Sequence, residues 1–112
     1  MPVEDKGGIF AFITEPVRNE SVSVGNTSSV ICVQRTSPNP RRTILIRNSS
    51  TNANEIITVN MGNNPAVAGA GIVLKPEGSF SDSTSEGYEC FQGVITAICA
   101  VAGPGNLSIM ER

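Results

Sequence analysis

The chain has 112 residues, a formal net charge of −2, and neither histidine nor tryptophan. Its length suits one domain that buries roughly two-thirds of the surface of the unfolded chain. The lack of histidine excludes Ser-His-Asp and Cys-His nucleophile arrangements and the usual zinc ligand sets, so no metal or cofactor is expected. The slight negative charge argues against a general nucleic-acid binder.

The beginning of the chain lacks the basic-then-apolar pattern of a signal peptide, and no apolar run approaches membrane-spanning length. We therefore expect synthesis and folding in a cytosol and no membrane partner. Residues 1–7 are polar and predicted to be a flexible N-terminal arm, ahead of a single domain over residues 8–112. Residues 9–13 are a continuous apolar run, predicted to be a strand that is buried on both faces or docked at an interface.

Short β-strand patterns then recur at regular spacing, separated by turns rich in Gly, Pro, Asn and Ser. The run at 94–101 is long enough to be helical, but its β-branched residues favour a strand. Residues 66–71 are small and predicted to pack against a neighbour, and residues 81–87 read as a polar, acidic loop. These patterns predict an all-β fold, an antiparallel β-sandwich of eight or nine short strands with jelly-roll-like connectivity. The remaining predicted strands are 21–24, 30–33, 42–47, 55–61, 107–110 and short ones around Ile72 and Phe80.

The best-defined strand pattern is the run at 42–47, which we expect to be a central strand with positively charged ends. Period-two alternation places Ile44 and Ile46 on one face, predicted to be core, and Leu45 and Arg47 on the other.

Three cysteines, Cys32, Cys90 and Cys99, lie in or beside apolar strands without a CxxC pair. They are predicted to be buried free thiols. A disulfide between Cys90 and Cys99 is the alternative, which a reducing compartment disfavours.

Four arginines, Arg35, Arg41, Arg42 and Arg47, make up half of the basic residues, and no acid lies between the first and the last. They are either solvated strand ends or an interface whose guanidinium groups bind carboxylates of a partner or of another copy of the chain. The cluster has no nearby aromatic residues for base stacking, which disfavours nucleic acid as the partner.

Individual residues suggest two further functions. Glu86 and Glu89 could form the carboxylate pair of a glycosidase, but solvation explains the acidity of their loop as readily. A carbohydrate-binding module normally presents an exposed aromatic platform. Tyr88 and Phe91 are the candidates, and both are predicted to be core residues.

From Arg42 onward the chain resembles the capsid decoration, or staple, proteins of short-tailed bacteriophages such as those similar to epsilon15. The matching segments are ILIRN at 44–48, GIVLKPEGS at 71–79, GYECFQGVITAIC at 87–99 and LSI at 107–109. The resemblance implies a non-enzymatic virion protein that staples the outer surface of an icosahedral capsid, bridges major capsid protein subunits and lies beside copies of itself.

On this interpretation the capsid contacts come from the first apolar run and the arginine region. The alternative is a carbohydrate- or receptor-binding module of a phage tail or cell surface, with Tyr88 at its site. The candidate capsid-contact residues are Ile9, Phe10, Phe12, Arg35, Arg41, Arg42 and Arg47.

Overall fold

A computed structural model describes residues 17–112, which form eight antiparallel β-strands in two four-stranded sheets. This confirms the predicted antiparallel β-sandwich. None of the described residues belongs to a helix long and apolar enough to cross a membrane. The predicted arm at 1–7 and the predicted strand at 9–13 lie outside the described residues. The strands are β1 (Arg18–Val24), β2 (Ser29–Cys32), β3 (Thr43–Asn48), β4 (Ile57–Met61), β5 (Ile72–Leu74), β6 (Ser79–Ser83), β7 (Ile95–Cys99) and β8 (Gly105–Glu111).

The strand order is nested. One sheet runs β1-β8-β3-β6 and the other β2-β7-β4-β5. The chain pairs as one long antiparallel hairpin whose tip lies between β4 and β5, and its strand pairs are β1–β8, β2–β7, β3–β6 and β4–β5. The hairpin is wound so that successive pairs lie in alternate sheets. The winding brings the last strand, β8, between β1 and β3.

Strand β3 has the alternation expected from its sequence. Ile44 and Ile46 are fully buried, whereas Leu45 and Arg47 are exposed. The strand is hydrogen-bonded to β8 on one side and to β6 on the other, so it is central as predicted. Each fully buried isoleucine contributes roughly 1.5–3 kcal/mol relative to an exposed one.

The core lies between the sheets and is built almost entirely from aliphatic side chains and thiols. Cys32, Cys90 and Cys99 are all buried and free, which confirms that prediction. The largest aliphatic members are Val24, Ile31, Ile44, Ile46, Ile57, Val59, Leu74, Ile95, Leu107 and Ile109.

The outer faces of the two sheets differ. On the β2-β7-β4-β5 sheet, Thr58 and Thr96 point outward by strand alternation but are buried. The loop between β4 and β5 lies over them, because Gly69 N–H donates to Thr58 Oγ1 at 3.0 Å and Thr96 Oγ1 donates to the Asn64 carbonyl at 3.0 Å. This loop therefore lies on the chain's own sheet, with Ala66 buried and residues 67–71 exposed. No other described segment covers the outer face of the β1-β8-β3-β6 sheet, which we call the open outer face; it carries exposed serines on three strands.

One predicted loop is partly wrong. Residues 81–83 belong to β6, which pairs with β3 along its whole length. In this edge strand Phe80 and Asp82 are partly buried, while the serines on either side of them are exposed. Such a strand has only one apolar residue, so its composition resembles that of a loop although its period is that of a strand.

Candidate interaction surfaces

Five arginines gather at one end of the sandwich, which we call the arginine end. They lie at the start of β1, in the β2–β3 connection and beside the end of β8. The register brings these places together, because Glu111 of β8 lies opposite both Arg18 and Ile44. The members of the arginine end are Arg18, Arg35, Arg41, Arg42 and Arg112.

Arg41 lies inside the protein. Its side chain is completely buried, and its Nε donates to Glu111 Oε2 at 2.6 Å. Its terminal nitrogens donate to the carbonyl oxygens of Phe91 at 2.6 Å and Val33 at 2.9 Å. This corrects the sequence prediction that Arg41 is a partner-contact residue, since a guanidinium with no accessible surface has none to offer a partner.

Glu111 is the acid that the local sequence did not reveal. Its carboxylate is buried, with Arg18 Nη1 at 3.4 Å and Arg35 Nη1 at 3.6 Å in addition to Arg41. A buried carboxylate is stable only when it is paired and hydrogen-bonded. The signal was present in β8, where alternation from Leu107 and Ile109 places Glu111 on the inward face.

A glutamine fixes the backbone of Arg41 from the other side. Gln92 Nε2 donates to the Arg41 carbonyl at 2.6 Å, and Gln92 Oε1 accepts from the Arg41 N–H at 2.6 Å. The same amide nitrogen donates to the Cys90 carbonyl at 2.7 Å. These bonds satisfy backbone groups of Arg41 and Cys90 that are not paired within a sheet. They also hold the β2–β3 connection against the β6–β7 connection.

The outer layer of the arginine end carries both signs of charge. Arg42 and Arg112 are exposed, and the Arg42 N–H donates to the Arg112 carbonyl at 2.6 Å. The Arg42 carbonyl accepts from Thr84 N–H at 2.8 Å, so the turn that bears the exposed carboxylates of Glu86 and Glu89 starts at this end as well. The basic and acidic regions of the sequence are therefore neighbours in space.

Arg47 lies apart from the other predicted contact arginines. It is on the open outer face of β3, with its side chain 47% exposed and Nη2 3.4 Å from Glu77 Oε1. Of the predicted contact residues, the structure thus brings together Arg35, Arg41 and Arg42, with Arg41 buried beneath the others. Three further candidates, Ile9, Phe10 and Phe12, lie outside the described residues.

A cleft of about 340 Å³ indents the open outer face. Strand register explains it. One row across the sheet holds Asn19, Met110 and Leu45, and the next holds Ser21, Ser108 and Arg47. The two serines are short, so a depression forms between the larger side chains on either side of them. Sequence reasoning did not find this cleft, because it depends on which strands are neighbours. The lining residues are Asn19, Glu20, Ser21, Leu45, Arg47, Ser108, Ile109 and Met110.

The aromatic prediction is half correct. Phe91 is partly buried against the core, as predicted, but Tyr88 is 52% exposed. Its hydroxyl donates to Asp82 Oδ2 at 3.0 Å, and this hydrogen bond raises the pKa of Tyr88. Burial raises the pKa of Asp82, but hydrogen bonds from the Phe91 N–H and from Tyr88 outweigh it and hold that pKa below its usual value.

Two of the buried thiols, those of Cys32 and Cys90, are shifted toward the protonated form, which is the less reactive one. Burial raises the pKa of Cys32, and burial together with the charge of Asp82 raises the pKa of Cys90 to about 11. Within residues 17–112, no group of three or more His, Cys, Asp or Glu side chains is arranged to hold a metal ion.

Comparison of the chain with protein-family models, with curated proteins and with solved structures finds no match.

Proposed function

We propose that this protein is a virion structural protein that decorates the outside of an icosahedral bacteriophage capsid and staples neighbouring major capsid protein subunits together. The resemblance of the sequence segments after Arg42 to those of phage decoration proteins suggests this function, and the nested strand order supports it. We interpret that order as a jelly roll, an architecture that recurs in capsid and lectin domains.

The observation that carries the proposal is the construction of the arginine end. Five of the eight basic residues of the chain lie there, and three of them pair with the buried carboxylate of Glu111. Arg41 and Glu111 form a rigid base, since both are buried and hydrogen-bonded to backbone or to each other. Arg42 and Arg112 lie above that base in exposed positions. A surface whose charges are fixed before binding loses less conformational entropy when a partner docks.

The position of this end in the chain also fits a staple. The described chain enters β1 at this end, because Arg18 at the start of β1 is a member of the arginine end. On this proposal the apolar run at 9–13, which precedes β1 in the sequence, supplies a second contact. A folded surface and a chain segment that start from the same place can bury area on two neighbouring subunits at once. Linked contacts of this kind raise the effective concentration of the second contact, so modest individual contacts give strong overall attachment.

The test is co-sedimentation of the purified protein with shells made of the major capsid protein alone. Arg42→Glu reverses an exposed charge at the arginine end, and we expect at least a tenfold loss of shell affinity, equal to about 1.4 kcal/mol. Lys75→Glu is the matched control, because Lys75 is also exposed but lies in the turn beside Asn48, at the far end of β3. It should leave binding unchanged.

Two results would count against this function. The first is a wild-type protein that does not sediment with shells at any ratio. The second is an equal loss of binding in the two charge-reversed variants, because a general electrostatic attraction would then explain the attachment. Raising the salt concentration should weaken wild-type binding and should weaken that of Arg42→Glu less.

A further inference from the structure

The cleft on the open outer face has the size and chemistry of a small-ligand site. Its volume of about 340 Å³ lies within the range of ligand pockets in proteins. It is formed by three strands, β1, β8 and β3, which pair without a register shift. A site on paired strands is held more precisely than a site on loops.

The polar groups in the cleft have hydrogen-bonding capacity left over. Within the described part of the chain, the side chains of Asn19, Ser21 and Ser108 are not used in hydrogen bonds to other protein groups. By contrast, Ser23 at the other end of the face is already paired with Asn106, at 3.5 Å. The cleft therefore presents two hydroxyl groups and one amide that can each both donate and accept.

Apolar and charged groups complete the lining, and the carboxylate of Glu20, which also lines the cleft, is already paired with Arg18. Leu45 is 38% exposed and lies opposite Met110, so the two form an apolar patch beside the serines. Arg47 lies opposite Ser108. Its contact with Glu77 is a loose surface pair, at 3.4 Å with both side chains well exposed. Such pairs contribute about 0–1 kcal/mol, so the guanidinium can turn to a carboxylate in the cleft at little cost.

We propose that this cleft binds a saccharide unit that carries a carboxylate, such as a uronic acid residue of a glycan. The sugar hydroxyls pair with Ser21, Ser108 and Asn19, its C–H face packs on Leu45 and Met110, and its carboxylate pairs with Arg47. The site involves neither Tyr88 nor the arginine end, and it does not depend on the proposed attachment to a capsid. If both hold, the protein attaches by one end and presents a glycan site on a sheet face.

The experiment is an NMR titration of the ¹⁵N-labelled protein with sodium glucuronate, with glucose and with sodium acetate. We expect saturable shifts at Asn19 and Ser108 with glucuronate, at a dissociation constant in the millimolar range or below. Glucose should bind at least tenfold more weakly, and acetate should not produce the same shifts.

Two substitutions locate the site. Ser108→Leu fills the cleft and should abolish glucuronate binding, while Ser83→Leu adds the same side chain to the outer face of β6, outside the cleft, and should retain it. Arg47→Ala should remove the preference for glucuronate over glucose. Ser108→Leu should still sediment with capsid shells to the wild-type extent.

The proposal is overturned by any of three results. They are the absence of saturable shifts with glucuronate, equal shifts with acetate, and equal losses in the two serine variants. A loss of shell binding in Ser108→Leu would also overturn it, because the cleft would then be part of a capsid interface. A failure of shell binding in every variant, with glucuronate binding intact, would instead count against the capsid function alone.

Discussion

Neutralising Glu111 tests whether the buried charges organise the arginine end. Glu111→Gln keeps the shape of the side chain and one acceptor but removes the charge opposite Arg41, whose side chain has no accessible surface. Removing one partner of a buried ion pair typically costs about 3–5 kcal/mol, because the other charge stays buried without compensation. Here Arg41 keeps its bonds to the Phe91, Gly93 and Val33 carbonyls, so we expect the lower end, about 3 kcal/mol.

The assay is urea-induced unfolding at neutral pH, with Glu77→Gln as the matched control. Glu77 pairs with Arg47 at 3.4 Å with its side chain 81% exposed, so its neutralisation should change the free energy of unfolding by less than about 0.5 kcal/mol. Both variants should keep the wild-type slope of free energy against urea concentration, because neither changes the surface exposed on unfolding. Equal midpoints for the two variants would refute the reasoning, because the buried carboxylate would then contribute no more than an exposed one.

Two further outcomes are expected. Gly71→Ala should destabilise the protein by about 1–3 kcal/mol more than Gly69→Ala, as measured by urea unfolding. Both glycines have positive φ, but only at Gly71 would an added Cβ meet the Val59 carbonyl oxygen, at 2.7 Å. Equal losses of stability in the two variants would contradict the packing of this loop on β4. The pKa of Cys90 is raised from 9.0 to about 11, so at pH 8 this residue should have about a hundredfold less thiolate than an unperturbed thiol. Alkylation of Cys90, followed by peptide mass spectrometry, should therefore be slow in the native protein and faster in urea. Rapid native alkylation of Cys90 would contradict its burial.

Strand alternation carried most of the fold prediction. Ile44 and Ile46, like Leu107 and Ile109, alternate with polar or exposed residues, and each pair proved to be core. Alternation specifies which face of a strand is buried, but it does not specify which strand lies next to it. The nested order and the cleft both depend on that second kind of information, so neither could be derived from one sequence.

The prediction for Arg41 was wrong because contacts between residues far apart in the sequence decide whether it is buried. Arg41 and Arg42 are adjacent in sequence and both precede β3, yet one is fully buried and the other exposed. The difference comes from Glu111, 70 residues further along the chain. Continuing the alternation of β8 from Ile109 to Glu111 would have placed this carboxylate on the inward face. That placement would have predicted a buried cationic partner, but it would not have shown which arginine supplies it.

Tyr88 shows the limit of reasoning from residue type. An aromatic residue beside a buried cysteine suggests a core position, but Gly87 has φ of +80° and lies in a tight turn in which Ser85 and Tyr88 exchange backbone hydrogen bonds. The turn directs Tyr88 outward to Asp82, while Cys90, two residues later, is buried. The direction of a side chain next to a turn is thus set by backbone geometry that composition does not reveal.

Strand β3 connects the two proposed surfaces and allows them to be tested separately. Arg42 precedes the strand at the arginine end, whereas Leu45 and Arg47 face the cleft. The inward positions are occupied by Ile44, Ile46 and Asn48, and Asn48 donates to the Glu55 and Leu74 carbonyls, at 2.8 Å each. Because the core uses only the even-numbered positions of this strand, changes at 45 and 47 can alter the cleft without removing a core side chain. A substitution at 45 or 47 can therefore remove glycan binding while the protein still unfolds at the wild-type urea concentration. In the same way, a substitution at Arg42 can remove attachment to shells without changing stability.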